Sequence, residues 1–203
     1  MQEGKNYLSL QIAQKLTKDF LKLEKQLVKE ASTDNKQINL VRKEAILEYF
    51  LLVDGLNFKL SGKADRIDFK GDTLRIIDYK TGKVEENEVA FTEYDELTSN
   101  SKKSKAFQLL MYAYLYLKMN PHHHKEEVVA GNFSFKNLKS GLIKVCKKTG
   151  ARQKEVINIG SNVMDEFEKQ LEFVLSQIKN EDFTQVAEVK ACEWCDYKSI
   201  CKR

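Results

Sequence analysis

Leu74-Arg75-Ile76-Ile77-Asp78-Tyr79-Lys80 is the stretch on which the fold of this chain turns. Side chains of a strand alternate between two faces, so Leu74, Ile76, Asp78 and Lys80 share one of them. A carboxylate and an ammonium then project side by side from the end of an apolar strand. On the N-terminal side, a second strand-like run over residues 58–69 contains Gly62-Lys63-Ala64-Asp65-Arg66, and Lys70-Gly71-Asp72 supplies a turn between the two. A hairpin about that turn brings Asp65 close to Asp78. On the C-terminal side, Thr81-Gly82 follows at once. Further on, Gln108 and Tyr112 lie one turn apart on one face of a helix predicted over residues 106–119.

Two carboxylates at one point suit a hard divalent cation bound through oxygen. Mg2+ commonly takes only one or two of them and fills its shell with water and substrate phosphate. A lysine beside such a cation can orient a water or stabilise charge on a phosphate. Strand-end aspartates are otherwise common as turn formers. Asp78, however, follows Ile76-Ile77 in a strand that reads as central and buried, where an unpaired carboxylate is costly. A cation and Lys80 together resolve that cost. The arrangement reads as metal-dependent phosphodiester hydrolysis.

The 203 residues allow one sizeable core and do not call for a second. Hydrophobic residues make up 42% and charged residues 32%, a globular composition. No run approaches the roughly 18 apolar residues of a membrane span, and Met1-Gln-Glu-Gly-Lys5 lacks the apolar core of a signal peptide, so a cytoplasmic location is expected. A net charge of +4 permits nucleic-acid binding without arguing for it. With Pro121 the single proline and no low-complexity linker, an internal domain boundary is not expected. The chain opens directly on a helical pattern, as a trimmed piece or a terminal module of a longer polypeptide would.

Apolar residues at 8, 12, 16, 20, 23 and 27 predict an amphipathic helix over residues 8–30. Residues 38–53 read as strand, with a helix over 42–49 as the alternative, and Asp54-Gly55 marks a hairpin turn. Residues 84–103 read as a long irregular connection. Strands are expected at 128–135 and 141–146, joined through 136–140, and a second amphipathic helix at 163–178. The order of helices and strands implies a mixed sheet flanked by helices.

Taken in order, Gly62-x-x-Asp65-Arg66, Asp78-Tyr79-Lys80-Thr81-Gly82 and Gln108-x-x-x-Tyr112 resemble the signature of the PD-(D/E)xK nuclease superfamily. The branch they resemble is that of the RecB and AddB nuclease domains. The resemblance implies an α/β fold with a restriction-endonuclease-like core. Residues 1–203 would then be one nuclease domain, alone or as the C-terminal module of a longer helicase–nuclease protein, ending in a cysteine-bearing tail at 186–203. It implies Mg2+ or Mn2+ held by Asp65, Asp78 and the backbone carbonyl of Tyr79, with Lys80 positioning the attacking water. Gln108 would lie near the metal or phosphate and Tyr112 near the DNA backbone. Relatives often carry a further acidic residue or histidine upstream. No histidine precedes His122, and Glu48 is the residue chosen here, with Glu44 and Glu24 as alternatives. The implied activity is exonuclease-type hydrolysis of DNA in repair and recombination, on single strands or at ends, with a helicase as partner. Two rivals are a catalytically inactive DNA-binding module of the same fold and an interaction domain stapled by an iron–sulfur cluster or zinc.

The last rival rests on Cys192-x-x-Cys195-x5-Cys201, whose spacing resembles the three C-terminal cysteines of the [4Fe-4S] staple in AddB-like relatives. Those relatives supply a fourth thiolate from far upstream, and Cys146 does not match that position. Three thiolates complete neither a cluster nor a structural zinc site. His122-His123-His124 cannot all face one ion on a regular element and reads as a solvated loop at a helix end. Arg66 either contacts phosphate or pairs with Asp68. Lys102, Lys103 and Lys105 either touch the DNA backbone or are simply solvated.

Overall fold

The computed structural model describes residues 4–150, 153–180, 192–193 and 195–201. In chain order the elements are α1 (Gly4–Thr33), β1 (Ile38–Val53), β2 (Leu56–Lys70), β3 (Thr73–Lys80), β4 (Ala90–Phe91), α2 (Glu96–Ser99), α3 (Ser104–Met119), β5 (Glu127–Ser134), β6 (Leu142–Lys144), β7 (Cys146–Lys148), β8 (Lys154–Val156) and α4 (Ser161–Asn180). Among the described residues no helix is long and apolar enough to cross a membrane.

Asp54 and Gly55 both take positive φ, 48° and 77°, as a two-residue turn between right-twisted strands requires. They join β1 and β2 in an antiparallel ribbon that pairs from Val53↔Leu56 to Ile38↔Lys70. Residues 42–49 are therefore strand, not helix. The reason is visible in the burial, which follows period two through Ala45, Leu47, Leu51 and Val53. Gly71, at φ 60°, turns the chain into β3, which pairs antiparallel with β2 from Lys70↔Thr73 to Arg66↔Ile77. β5 then lies parallel to β3, from Thr73↔Glu127 to Lys80↔Ser134, and a parallel neighbour needs a crossover. α3 provides it. With β6 antiparallel to β5, the sheet order is β1-β2-β3-β5-β6, a mixed central sheet flanked by helices as expected.

Strand β3 is central, so Leu74, Ile76 and Ile77 are all buried. One sheet face, with Leu74, Ile76, Val128 and Ala130, packs with α3 in the main core. α4 lies outside α3, its buried Met164, Phe167, Leu171 and Leu175 spaced three or four apart, and Phe167 meets Phe107 and Tyr114 at 5.3 and 6.0 Å between rings. The opposite sheet face receives α1 through Phe20, whose ring sits 5.2, 5.7 and 5.1 Å from those of Tyr79, Phe133 and Phe135. α1 is longer than its periodicity predicts. Its first half is exposed, and the docked part begins near Leu16. Asn35, at φ 53°, follows its last turn, where Lys36 N–H closes onto the Ala31 carbonyl at 2.8 Å.

Residues 84–103 are not the irregular connection that their polarity predicts. They carry β4, α2 and two 3-10 turns, and β4, β7 and β8 form a second, three-stranded sheet. Val84, Val89, Ala90, Phe91 and Leu97 bury themselves, which is why the segment folds back on the core. The run expected as one strand at 141–146 divides into β6 and β7, one in each sheet, and β8 has no counterpart in the sequence reading.

Lys103 ties this segment down. It is buried, and its Nζ donates to the carbonyls of Asn87 at 2.9 Å and Ala90 at 2.5 Å. Burial pushes its ammonium pKa down, and Lys148 pushes the same way. Lys103→Met should therefore destabilise the protein by about 1–3 kcal/mol, since both carbonyls lose their partner. Urea denaturation measures it; an unchanged midpoint would remove the staple role. Lys102→Met, at an exposed position, serves as the neutral comparison.

Candidate active site

The site begins with an irregularity in β2. Leu60, Gly62 and Ala64 turn toward α3, and so do Ile67 and Phe69, so the alternation slips by one across Asp65-Arg66. On the partner strand, Glu44 takes φ 50°, an uncommon conformation for a non-glycine residue. The ladder between β2 and β3 ends at Arg66↔Ile77. One step further, Asp65 and Asp78 come opposite each other. In place of a backbone rung, the Tyr79 N–H donates to Asp65 Oδ2 at 2.7 Å.

Asp78 is buried, and its Oδ2 accepts from Lys80 Nζ at 2.9 Å and from Asn132 Nδ2 at 2.8 Å. Lys80 Nζ also donates to Gln108 Oε1 at 2.8 Å, and Gln108 Nε2 donates to the Tyr112 hydroxyl at 2.8 Å. The direction of this line is fixed by its first member. An ammonium only donates, so Gln108 turns its oxygen to Lys80 and its NH2 to Tyr112. Tyr112 is then the acceptor, and its own O–H remains to donate elsewhere. Burial raises the Asp78 carboxyl above its ordinary pKa and the charge of Asp65 adds to this, while Lys80 and Asn132 oppose it. Burial and the nearby Asp78 charge raise the Tyr112 phenol as well.

Gly62 explains how the flanking motifs meet. A Cβ at this position would lie 2.9 Å from two carbons of the Tyr112 ring and 3.3 Å from Leu115 Cδ1. The glycine of the first motif is thus the floor on which the tyrosine of the third motif rests.

The remaining sequence candidates divide. Arg66 pairs with two carboxylates, Glu24 Oε2 at 2.7 Å and Asp68 Oδ2 at 2.5 Å, so the Asp68 pairing is present. That also occupies Glu24. Asp68 is shared with Arg75 in a two-pronged pair at 2.6 and 2.8 Å, beneath the sheet. Glu48 is the residue chosen from the sequence as a metal ligand. It faces Ser61 on the ribbon and pairs with Lys59 at 2.7 Å. Asp65 stands opposite position 44, four residues away, which is roughly 13 Å along a strand. Glu44 is the acidic residue across from Asp65, and it pairs with Lys63. A cavity of about 440 Å3 beside Asp65 is lined by Lys43, Glu44, Arg66, Tyr79, Ile38 and Leu40, among others.

Lys105 pairs with Glu88 at 2.5 Å, so of the lysines at 102, 103 and 105 only Lys102 is exposed in the described structure. The histidine tract forms a 3-10 turn, and His123 is packed rather than solvated. It lies 5.6 Å from the Tyr116 ring and 5.5 Å from that of Phe69, with Nδ1 3.0 Å from the Tyr116 hydroxyl. Cys192, Cys195 and Cys201 are partly buried in a short turn region; residues 186–191 and Trp194 lie outside the described residues. Cys146 is half-buried on β7, its Sγ 3.3 Å from the Lys144 carbonyl. Among the described residues no group of three or more His, Cys, Asp and Glu side chains is arranged to hold a metal ion.

Asp65 and Asp78 offer an oxygen-only donor pair. The hydrogen bonds described for both carboxylates fall on Oδ2. That donor chemistry fits a hard cation whose shell is completed by water and phosphate oxygens. Sequence reasoning missed Asn132 and Ser134. The available signal was two polar residues, two apart, at the C-terminal end of the apolar run Val128-Val-Ala-Gly-Asn132-Phe-Ser134.

A family model of the PD-(D/E)XK nuclease superfamily matches residues 4–202. Comparison with curated proteins finds no match. Among solved structures the chain is similar to the crystal structure of SSO0001, at 14% identity with a TM-score of 0.40, over 89% of this chain and 65% of that one. A likeness of that degree carries no functional argument, and the chain spans less than two thirds of that protein.

Proposed function

Because the chain belongs to the PD-(D/E)XK nuclease superfamily, whose members generally use divalent metals, we propose that it is an Mg2+- or Mn2+-dependent DNA nuclease acting through Asp65, Asp78, Lys80, Gln108 and Tyr112. The observation that carries this reading is the hydrogen-bonded line from Asp78 through Lys80 and Gln108 to Tyr112, with Asp65 opposite its start.

Asp65, Asp78 and the Tyr79 carbonyl would hold the cation, which when bound supplies Lewis acidity toward phosphate and lowers the pKa of water. Lys80 has three N–H donors, of which Asp78 and Gln108 take two. The third remains for an attacking water or a phosphate oxygen. Gln108 fixes where the ammonium sits. Tyr112, an acceptor toward Gln108, keeps its O–H for a phosphate oxygen of the strand being cut. Holding these groups in advance of the reaction is where such a site gains its rate.

The resemblance of the three motifs to RecB and AddB domains supports a narrower reading. It is exonuclease-type cleavage at DNA ends with single-stranded character, in repair and recombination, with a helicase as partner or as part of a longer chain. Residues 1–203 act as one nuclease domain in that reading. The cysteine tail has no part in the chemistry.

The test is degradation of end-labelled linear single- and double-stranded DNA, circular single-stranded DNA and RNA, with Mg2+ or Mn2+ and with EDTA. Linear DNA should be lost only with the cation, and circular DNA should survive. Cleaved circles would replace the exonuclease reading with an endonuclease. Metal-independent DNA binding without cleavage would leave a binding module.

A further inference from the structure

β5 runs parallel to β3 in a register that sets Asn132 against Asp78 and Ser134 against Lys80. Both β5 residues are fully buried, in a strand whose other members are mostly apolar. Their side chains are used on the neighbouring strand. Asn132 Nδ2 donates to Asp78 Oδ2 at 2.8 Å and to the Asp78 carbonyl at 3.3 Å. Both partners are acceptors, so the amide can face them only through its nitrogen. Ser134 Oγ donates to the Gly82 carbonyl at 2.8 Å and accepts from the Val84 N–H at 3.2 Å, which fixes the turn leaving Lys80.

Packing alone does not account for Asn132. Its Oδ1 is buried with no hydrogen-bond partner among the described residues. A buried amide oxygen without a partner carries a desolvation penalty that an apolar side chain of similar volume would not. What the amide provides in return is its grip on Asp78.

We propose that Asn132 is a positioning residue: with Lys80 it pins Oδ2 of Asp78, so that Oδ1 is presented to the divalent cation. This rests on the nuclease reading above, because it needs Asp78 to be a metal ligand. The logic is that of any ligand held by an outer hydrogen bond. A carboxylate free to rotate must be ordered when the metal binds, and one already held need not be.

Mn2+ binding to the DNA-free protein, followed by calorimetry and by the electron paramagnetic resonance of free Mn2+, tests this without turnover. Asn132→Leu keeps the volume and removes the hydrogen bond. It should weaken Mn2+ binding by about tenfold or more, with DNA affinity in EDTA unchanged. A merely structural role would lower the melting temperature and leave the Mn2+ affinity of the folded protein alone. An affinity within about twofold of the parent, in a folded variant, overturns the proposal. If Asn132→Leu does not fold, Asn132→Ala is read in its place by the same criterion. Asp78→Asn is measured alongside. If it too binds Mn2+ normally, Asp78 is no ligand and the nuclease reading fails with this one. If Asp78→Asn loses the metal and Asn132→Leu does not, only the positioning role is lost.

Discussion

Asp78→Ala is expected to lower the rate of DNA cleavage by at least about a thousandfold while the protein stays folded. The carboxylate sits at the end of a buried strand, touches Lys80 and Asn132, and faces Asp65. Its removal takes away both a candidate ligand and the anchor of the Lys80 ammonium. Stability should move the other way, and Asp78→Asn, which keeps the shape, reads it best. Burial first, with Asp65 adding, raises the Asp78 carboxyl above its unfolded value. The native state therefore holds this proton more tightly than the unfolded state does. Between the two pKa values the unfolded chain binds fewer protons, so metal-free stability falls as pH rises through the folded-state pKa. The asparagine does not titrate, so Asp78→Asn should lose this decline and match or exceed the parent at neutral pH. Cleavage by end-labelled assay and urea unfolding in EDTA from about pH 4 to about pH 8 check the two halves. Full cleavage by Asp78→Ala removes the residue from the site. A parent whose Asp78-dependent stability grows with pH contradicts the burial argument.

How far the sequence goes in this protein depends on whether a feature is local. The alternation Leu74, Ile76, Asp78, Lys80 and the dipeptide Asp54-Gly55 are local, and both predict their elements because they state backbone geometry directly. Gln108 and Tyr112 share a face by helical spacing, and their side chains do touch. Features that need register are not legible. Asn132 meets Asp78 only because β5 is parallel to β3 with no offset, which an α-helical crossover does not announce. Glu48 and Glu44 look equivalent in sequence. What separates them is the left-handed backbone at Glu44 and the slip in alternation at Asp65-Arg66, and no side-chain pattern signals either. Lys103 reads as one of a solvated run. Its ammonium is buried by two carbonyls that reach it from a segment whose fold was itself unread.

Gly62→Ala is the substitution that joins packing to chemistry, and it should lower cleavage by about ten- to a hundredfold. The added Cβ would stand 2.9 Å from the Tyr112 ring, closer than a carbon contact allows, and 3.3 Å from Leu115. Neither neighbour yields easily. Tyr112 is held through its hydroxyl by Gln108, and α3 is fixed by Leu109, Leu110 and Ala113 in the core. The ring must tilt or α3 must lift, at about 1–3 kcal/mol of stability. Either movement shifts Gln108, and through it Lys80. The glycine adopts no positive φ, so the cause is the missing space and not the backbone. Tyr112→Ala opens that space, which makes the pair separable. In the double variant the alanine at position 62 should no longer destabilise, giving a coupling of about 1 kcal/mol or more in urea unfolding. Cleavage should stay low in the double variant, because the hydroxyl that donates toward phosphate is gone. Additive unfolding energies would mean that Tyr112 does not rest on Gly62. Cleavage recovering together with stability would mean that Tyr112 serves as packing alone.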